Sequence, residues 1–281
     1  MRVLLTGGSG DVGTLLAQRL LARGVAVSSI DLVPPRIGGV DFIEGSIIDR
    51  DAVHRAMQGI DTVVHIAAWH GVHEAAKTAR DFHDLNVTGT FNCLQAAVEA
   101  GVKTFVFVSS TSVSDRYGLY GSSKVVGEEM VAAYAHRHPQ MTCMTLRPRA
   151  FIPSWNRAVY KNFLEWAAWF MKGAVHVDDF AAALDIAITH RPQTTAPVYV
   201  IDGAYDYTAR ELAAWDGSAF DAHYPQFRDL AQRYGIDTAL RAKVLDIPPA
   251  QRLPGYTPRY SLRNFLQELE RYGIDGPPAP F

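Results

Sequence analysis

Tyr120 and Lys124 stand four residues apart, a spacing that puts both side chains on one face of a helix. An ammonium beside a phenol favours the phenolate, so Tyr120 could exchange a proton with a substrate hydroxyl. Tyr117 has Gly121 at the same offset and lacks such a partner. Both tyrosines belong to SSTSVSDRYGLYGSSK (109–124), a run dense in hydroxyls. A second hydroxyl should come from the end of the preceding β-run, which leaves Ser109 and Ser110 as candidates.

A further site is written in backbone rather than in side chains. TGGSGDVG (6–13) spaces Gly7, Gly10 and Gly13 as G-x-x-G-x-x-G, between the β-run RVLLT (2–6) and an amphipathic helix from about Val12 to Arg23. One glycine turns the chain, one lets backbone approach a pyrophosphate, and one packs helix on strand. The helix N-terminus offers N–H groups and partial positive charge to phosphate. Asp31 ends the next β-run, eighteen residues beyond Gly13. A carboxylate there accepts hydrogen bonds from a ribose 2′-hydroxyl and repels a 2′-phosphate, which favours NAD over NADP. Arg36, nearby, is the residue that argues the other way.

The elements that must hold these residues alternate between strand and helix. Further strands are expected at 26–31, 41–45, 62–67, 104–110 and 141–148, with helices over 78–100 and 119–137. Runs rich in Val, Ile and Phe without polar alternation suit strands covered on both faces. The expected fold class is therefore α/β, a Rossmann-type doubly wound parallel sheet with a small C-terminal substrate cap. After Pro148 the rhythm breaks into an aromatic helix at 154–173, a helix at 175–190 and a last strand at 197–202. Residues 1–148 plus 174–202 are expected to form the core, and 149–173 plus 203–281 the cap. Trp155, Tyr160, Phe163, Trp166, Trp169 and Phe170 recur at helical spacing and read as cap core.

Composition narrows the partners. Twenty-seven basic against twenty-nine acidic residues give no surplus that advertises nucleic acid or an anionic membrane. No apolar run reaches the ~20 residues that span a bilayer, and no leader precedes the first strand, so a cytoplasmic protein is expected. Cys93 and Cys143 read as two buried thiols in a reducing compartment. Asp178 and Asp179 lack the further ligands a metal site needs, so no metal is expected.

At these residues the chain resembles the extended short-chain dehydrogenase/reductases, the NAD-dependent epimerase/dehydratase group. The matches are the Gly7–Gly10–Gly13 turn, Asp31, HIAA (65–68), NVTGT (86–90), FVFVSS (105–110), YGSSK (120–124), LRP (146–148) and HVDD (176–179). The resemblance implies Tyr120 as acid/base, Lys124 on the nicotinamide ribose, and Ser110 as the hydroxyl that orients substrate. It implies NAD contacts at Gly7, Ser9, Gly10, Asp11, Val12, Gly13, Asp31, Ile47, Ala67, Ala68 and Lys124. It also implies a homodimer through helices 78–100 and 119–137, and a cap-anchoring part for His176 and Asp179. Two departures stand out. Only nine residues separate Ser110 from Tyr120, far fewer than usual in the family, and Ser46 replaces an aspartate that often touches adenine.

Thr111 and Ser112 occupy the place of the Asp-Glu pair that dehydrating relatives carry, which argues against dehydration. The expected substrate is a sugar, sugar acid or related polyol. Trp69 either stacks on a sugar ring or packs on the cap, and His70 or His73 could meet a hydroxyl. Thr111 belongs with Ser110 on the substrate side. The segment RAFIPSWNRAVY (149–160) resembles the family's uronate dehydrogenases, which implies Asn156 and Arg157 as substrate contacts. Arg157 equally suits a solvated helix start. The expected activity is NAD-dependent oxidation. The alternatives are an epimerase with tightly held NAD and a non-catalytic NAD-sensing protein.

Overall fold

The structure, a computed structural model, describes residues 1–239 and 244–281. Seven strands form its sheet: β1 (Arg2–Thr6), β2 (Ala26–Asp31), β3 (Val40–Glu44), β4 (Thr62–His65), β5 (Thr104–Val108), β6 (Thr142–Pro148) and β7 (Val198–Ile201). Their order is β3-β2-β1-β4-β5-β6-β7, and every pairing is parallel. Parallel neighbours need crossover helices, which cover both faces and demand apolar strands. β5, TFVFV, is buried at every position. Order reverses between β1 and β4, and in such sheets the carboxyl ends of the strands at the reversal border the ligand crevice.

Four helices matter for the site. α1 (Asp11–Ala22) follows β1, and α2 (Arg50–Ala56) follows β3. The expected 78–100 helix is continuous but not uniform. It runs as α3 (Ala79–Phe82), a π-helical segment (His83–Thr88) and α4 (Gly89–Glu99). α5 (Leu119–Arg137) begins one residue before Tyr120 and agrees with the sequence reading.

The chain divides into two compact units. One comprises residues 1–148, 180–201 and 248–256, and the other 149–179, 202–247 and 257–281. In the first, Leu4, Ile30, Val63, Cys93, Phe105, Phe107 and Val131 belong to one buried core. In the second, Tyr160, Phe163, Trp166 and Phe170 join Phe220, Tyr224 and Phe265 in an aromatic core, with Trp169 at its edge.

The helix expected over 154–173 is shorter than its aromatic periodicity suggests. Only α6 (Phe163–Phe170) is α-helical, because Asn162 caps it by accepting the Glu165 N–H at 2.9 Å. Upstream, Asn156 accepts the Ala158 N–H on its side chain at 3.2 Å, which holds the chain in turns. α7 (Val177–Thr189) follows, and among the described residues no helix is long and apolar enough to cross a membrane.

Candidate functional site

The glycine turn after β1 is shaped by contacts that only hydrogen tolerates. Gly7 has φ +69°, and a Cβ there would lie 3.0 Å from Ala67 Cα. A Cβ on Gly13 would lie 2.7 Å from Gly8 Cα and from the Gly8 carbonyl oxygen. α1 therefore packs directly on the turn, and Gly10 as its N-cap brings no side chain over the helix mouth. The first-turn N–H groups, of Asp11, Val12 and Gly13, have no partner within the helix. This geometry fits a dinucleotide pyrophosphate.

Asp31 ends β2 beside this turn. Its Oδ2 accepts the Ser9 N–H at 3.0 Å and its Oδ1 the Leu32 N–H at 2.7 Å. Ser9 Oγ donates to the Val33 carbonyl at 2.7 Å, binding the turn to the chain after β2. Arg36 forms an ion pair with Asp11 at 2.7 Å. Ile47 is buried, its carbonyl held by Asn92 Nδ2 at 3.1 Å, and Ala67 donates its N–H to Thr6 O at 3.1 Å. Ala68 follows, half-buried. Ser46 turns inward on its own loop and accepts the Ile48 N–H at 3.3 Å.

The second half of the site lies at the end of β5 and the start of α5. Lys124 is 4 % exposed, and its Nζ donates to the Val108 carbonyl at 2.8 Å. The same nitrogen stands 5.8 Å from the centre of the Tyr120 ring and 5.0 Å from that of Phe107. Burial lowers the Lys124 pKa to about 7, against the opposing pull of Glu128. Burial raises that of the Tyr120 phenol, and a hydrogen bond with the Ser110 side chain draws it back. Ser110 rather than Ser109 is thus the hydroxyl beside Tyr120. Ser109 points away and donates to Glu128 Oε1 at 2.5 Å. Tyr117, at 99 % exposure, is outside this group.

The short link between Ser110 and Tyr120 closes as two tight turns. Ser110 Oγ accepts the Ser112 N–H at 3.0 Å and opens a 3₁₀ turn over Thr111–Ser114. Asp115 Oδ1 then accepts the Gly118 N–H at 3.1 Å, just before α5. The turns pass so close to the helix that a Cβ on Gly121 would overlap the Asp115 carbonyl oxygen. With the loop in this place, position 121 has no room for a side chain. The chain after β4 packs against the start of α5. Gly71 lies against the Tyr120 ring, a Cβ there falling 3.9 Å from Cδ1, and Glu74 Oε1 accepts the Tyr120 N–H at 3.0 Å.

Sequence reasoning did not single out the residues that hold these pieces in place. Asn86 accepts the Trp69 N–H at 2.8 Å, donates to the Trp69 carbonyl at 2.8 Å and donates to Ser123 Oγ at 2.9 Å. Ser123 Oγ in turn donates to the Tyr120 carbonyl at 2.7 Å. The π-helical segment aims Asn86 inward; the available signal was NVTGT (86–90), which marked the motif without its role. His65 contacts Thr6 Oγ1 through Nδ1 at 2.8 Å and Thr90 Oγ1 through Nε2 at 2.9 Å. Thr90 donates its proton to the Asn86 carbonyl, so Nε2 carries the ring hydrogen and Nδ1 accepts from Thr6. Burial first, and Lys124 second, hold the His65 pKa down to about 3.

Of the expected substrate residues, Trp69 and His70 lie in the same unit as Tyr120. Trp69 is half-buried, with Lys77 Nζ 4.4 Å from the ring centre and His73 at its edge, 5.0 Å between centroids. His70 is held neutral, its pKa lowered to about 4 by burial and then by His73 and Lys124. Thr111 is half-buried in the 3₁₀ turn. Asn156 and Arg157 belong to the second unit, where Arg157 Nη2 donates to the Asp275 carbonyl. In that unit His176 stacks on Tyr260 at 3.9 Å, and Asp179 Oδ2 accepts the Arg259 and Tyr260 N–H groups at 3.0 and 2.9 Å.

Residues 3–155 match the model of the NAD dependent epimerase/dehydratase family. The chain belongs to that family. It is accordingly an NAD-dependent enzyme of the epimerase/dehydratase type with a Rossmann-type sheet. It is 31 % identical over 268 residues to a 3β-hydroxysteroid dehydrogenase/Δ5→4-isomerase of Mycobacterium tuberculosis, covering 81 % of this chain and 71 % of that one. It is 27 % identical over 186 residues to a uronate dehydrogenase of Pseudomonas syringae pv. tomato, covering 59 % of this chain and 65 % of the relative. In three dimensions it is similar to MoeE5 in complex with UDP-glucuronic acid and NAD, with a TM-score of 0.72. That likeness covers 95 % of this chain and 97 % of the other at 22 % identity, and bears on the fold.

Proposed function

We propose that the protein is a cytoplasmic dehydrogenase that oxidises a secondary alcohol of a sugar, sugar acid or related polyol. The observation that supports this best is the grouping of Ser110, Tyr120 and Lys124 where β5 ends and α5 begins. NAD, when bound, supplies the hydride acceptor and a positive nicotinamide ring. Gly7, Ser9, Gly10, Asp11, Val12 and Gly13 would hold its pyrophosphate and Asp31 a ribose, with Ile47, Ala67 and Ala68 lining the way.

Tyr120, as phenolate, takes the proton of the substrate hydroxyl. Ser110 holds the substrate oxygen by hydrogen bonding, and the Lys124 ammonium favours the ionised tyrosine. As the proton leaves, the carbon gives up its hydride and the C–O bond becomes a carbonyl. Burial acts against both ionised groups, since it raises the Tyr120 pKa and lowers that of Lys124. Catalysis on this reading needs charges that the site itself must keep in place. Phe91 and Val126, 47 % and 43 % exposed on α4 and α5, support a homodimer through those helices.

The test is NADH formation from NAD across free aldoses, uronic acids, polyols and a 3β-hydroxysteroid, with Tyr120→Phe alongside. Tyrosine-dependent NADH with a carbohydrate is the expected result, the variant losing about a thousandfold in rate. Unchanged turnover in Tyr120→Phe overturns the assignment, and turnover confined to the steroid overturns the substrate class. An epimerase is the second reading, because the same three side chains serve a hydride that leaves and returns. It predicts interconversion of epimers with no accumulated NADH.

A further inference from the structure

α5 carries a third group on the Tyr120–Lys124 face. Glu128 follows Lys124 by four residues, and its side chain is 10 % exposed. Its Oε1 accepts from Ser109 Oγ at 2.5 Å and from Arg147 Nε at 2.7 Å, while Oε2 pairs with Arg147 Nη2. A single carboxylate thus fastens α5 to the residue before Ser110 and to β6. Ser109 directly follows β5 and Arg147 lies within β6, so these bonds set how far α5 slides along the sheet.

The same carboxylate acts on Lys124. Tyr120 faces that ammonium from its own helix, and His65 and His70 face it from β4 and the chain that follows. Both histidines are neutral at pH 7, held to about 3 and about 4. Val108 contributes a carbonyl and Phe107 a ring face. Glu128 is the group whose charge raises the lysine pKa against burial. Arg147, bound to it from β6, partly offsets that charge.

We propose that Glu128 is a positioning residue for the proton transfer, locking α5 to β5 and β6 and keeping an ammonium on Lys124 by its negative charge. The proposal rests on the Ser110–Tyr120–Lys124 reading above. Without the carboxylate the Lys124 pKa falls further, and Tyr120 keeps its charged neighbour in a smaller share of molecules at neutral pH.

The experiment follows the pH titration of Lys124 in protein labelled with ¹³C at the lysine ε-carbons. Its signal is identified by its loss in Lys124→Met. The midpoint is expected near 7 in the parent protein. In Glu128→Gln it should fall by about one pH unit, and in Arg147→Met, which removes the cation that offsets the carboxylate, it should rise. A lock without a charge effect predicts no such divergence, so equal behaviour of the two variants overturns the proposal, as does an unchanged midpoint in Glu128→Gln. If circular dichroism shows that Glu128→Gln does not fold, Glu128→Asp is read instead. Its withdrawn carboxylate must lower the midpoint by a smaller step, and an unchanged value overturns the idea. With the best substrate of the panel above, Glu128→Gln should lower kcat at pH 7 more than it alters KM, Glu128→Asp recovering part of the loss. Absence of that split also overturns it. The titration needs neither substrate nor NAD, so its failure and failure of the Tyr120→Phe assay can be told apart.

Discussion

The glycine turn at 6–13 and the hydroxyl-rich stretch at 109–124 both leave the carboxyl ends of parallel strands, β1 and β5, yet they are built on opposite plans. The turn is a matter of sterics among near neighbours: Gly13 rests on Gly8, and Gly7 on Ala67. Its chemistry is backbone N–H and helix charge, and few side chains are needed. The stretch acts through side chains, and each is held from far along the chain. Glu74 holds the start of α5, Asn86 reaches it through Ser123, and Arg147 through Glu128. The first plan depends on atoms left out; the second, Gly121 apart, depends on side chains that cannot be lost.

Acid should break both plans at once, because His65 joins them. Its ring bridges Thr6 at the glycine turn and Thr90 on α4. Thr6 Oγ1 already accepts the Ile66 and Ala67 N–H groups, so a second ring proton finds a poor acceptor. Below the ordinary histidine pKa the unfolded chain takes up a proton that the folded ring, at about 3, refuses. Stability therefore drops as pH falls from about 6.5 toward 4, by about 1.4 kcal/mol per pH unit from His65 alone. His70, at about 4, acts in the same direction. Urea titrations over that range, with the slope diminished in a His65→Gln variant, check this.

An added methyl comes next in size. Gly121→Ala should cost about 3 kcal/mol in urea melts, because the Asp115 carbonyl lies where the Cβ must go. Gly13→Ala should cost about 2 kcal/mol and also weaken NAD binding, measured calorimetrically. If Gly121→Ala lost NAD affinity as well, the two regions would be less independent than their contacts suggest. Removing the clamp is expected to be somewhat gentler. Asn86→Ala strands two Trp69 backbone groups and removes the donor to Ser123 Oγ, for about 2 kcal/mol, and lowers turnover with little change in the NAD dissociation constant.

Lys124→Met has the smallest effect on the fold, and the opposite sign. Between pH 7 and the ordinary lysine pKa of 10.5, the unfolded chain holds a proton that the folded lysine has released. Burial of this lysine therefore works against folding, most fully below pH 7 and fading as pH rises toward 10.5. Methionine should add about 1 kcal/mol at neutral pH while NADH formation is lost. A loss of stability instead would mean that the bond to Val108 outweighs desolvation.

Legibility in the sequence follows the same division. The parallel sheet and the glycine turn could be read because they depend on residue type at fixed short spacing: apolar runs, three glycines, an aspartate at a strand end. Tyr120 and Lys124 could be paired because a helix fixes the distance between positions four apart. Residue type alone left Ser109 and Ser110 open and the family resemblance pointed to Ser110; the physical reason lies in three dimensions, where Ser110 meets the Tyr120 side chain and Ser109 turns to Glu128. Asn86 and Glu74 were hidden for another reason. A π-helical segment and a 3₁₀ turn decide where they aim, and neither leaves a periodic trace. The overlong helix expected at 154–173 failed because aromatic periodicity marks burial, while Asn156 and Asn162 decide where helix begins.

The contact between Gly121 and the Asp115 carbonyl couples two traits that protein engineers usually vary one at a time. The path of the loop and the residue after the tyrosine are sterically coupled. A side chain at position 121 needs 111–118 to stand away from α5, and a loop of this length in this place needs glycine there. Grafting a longer specificity loop onto this scaffold should therefore meet no steric obstacle at 121, whereas shortening the loop of a relative with any other residue there should fail until that residue is changed first.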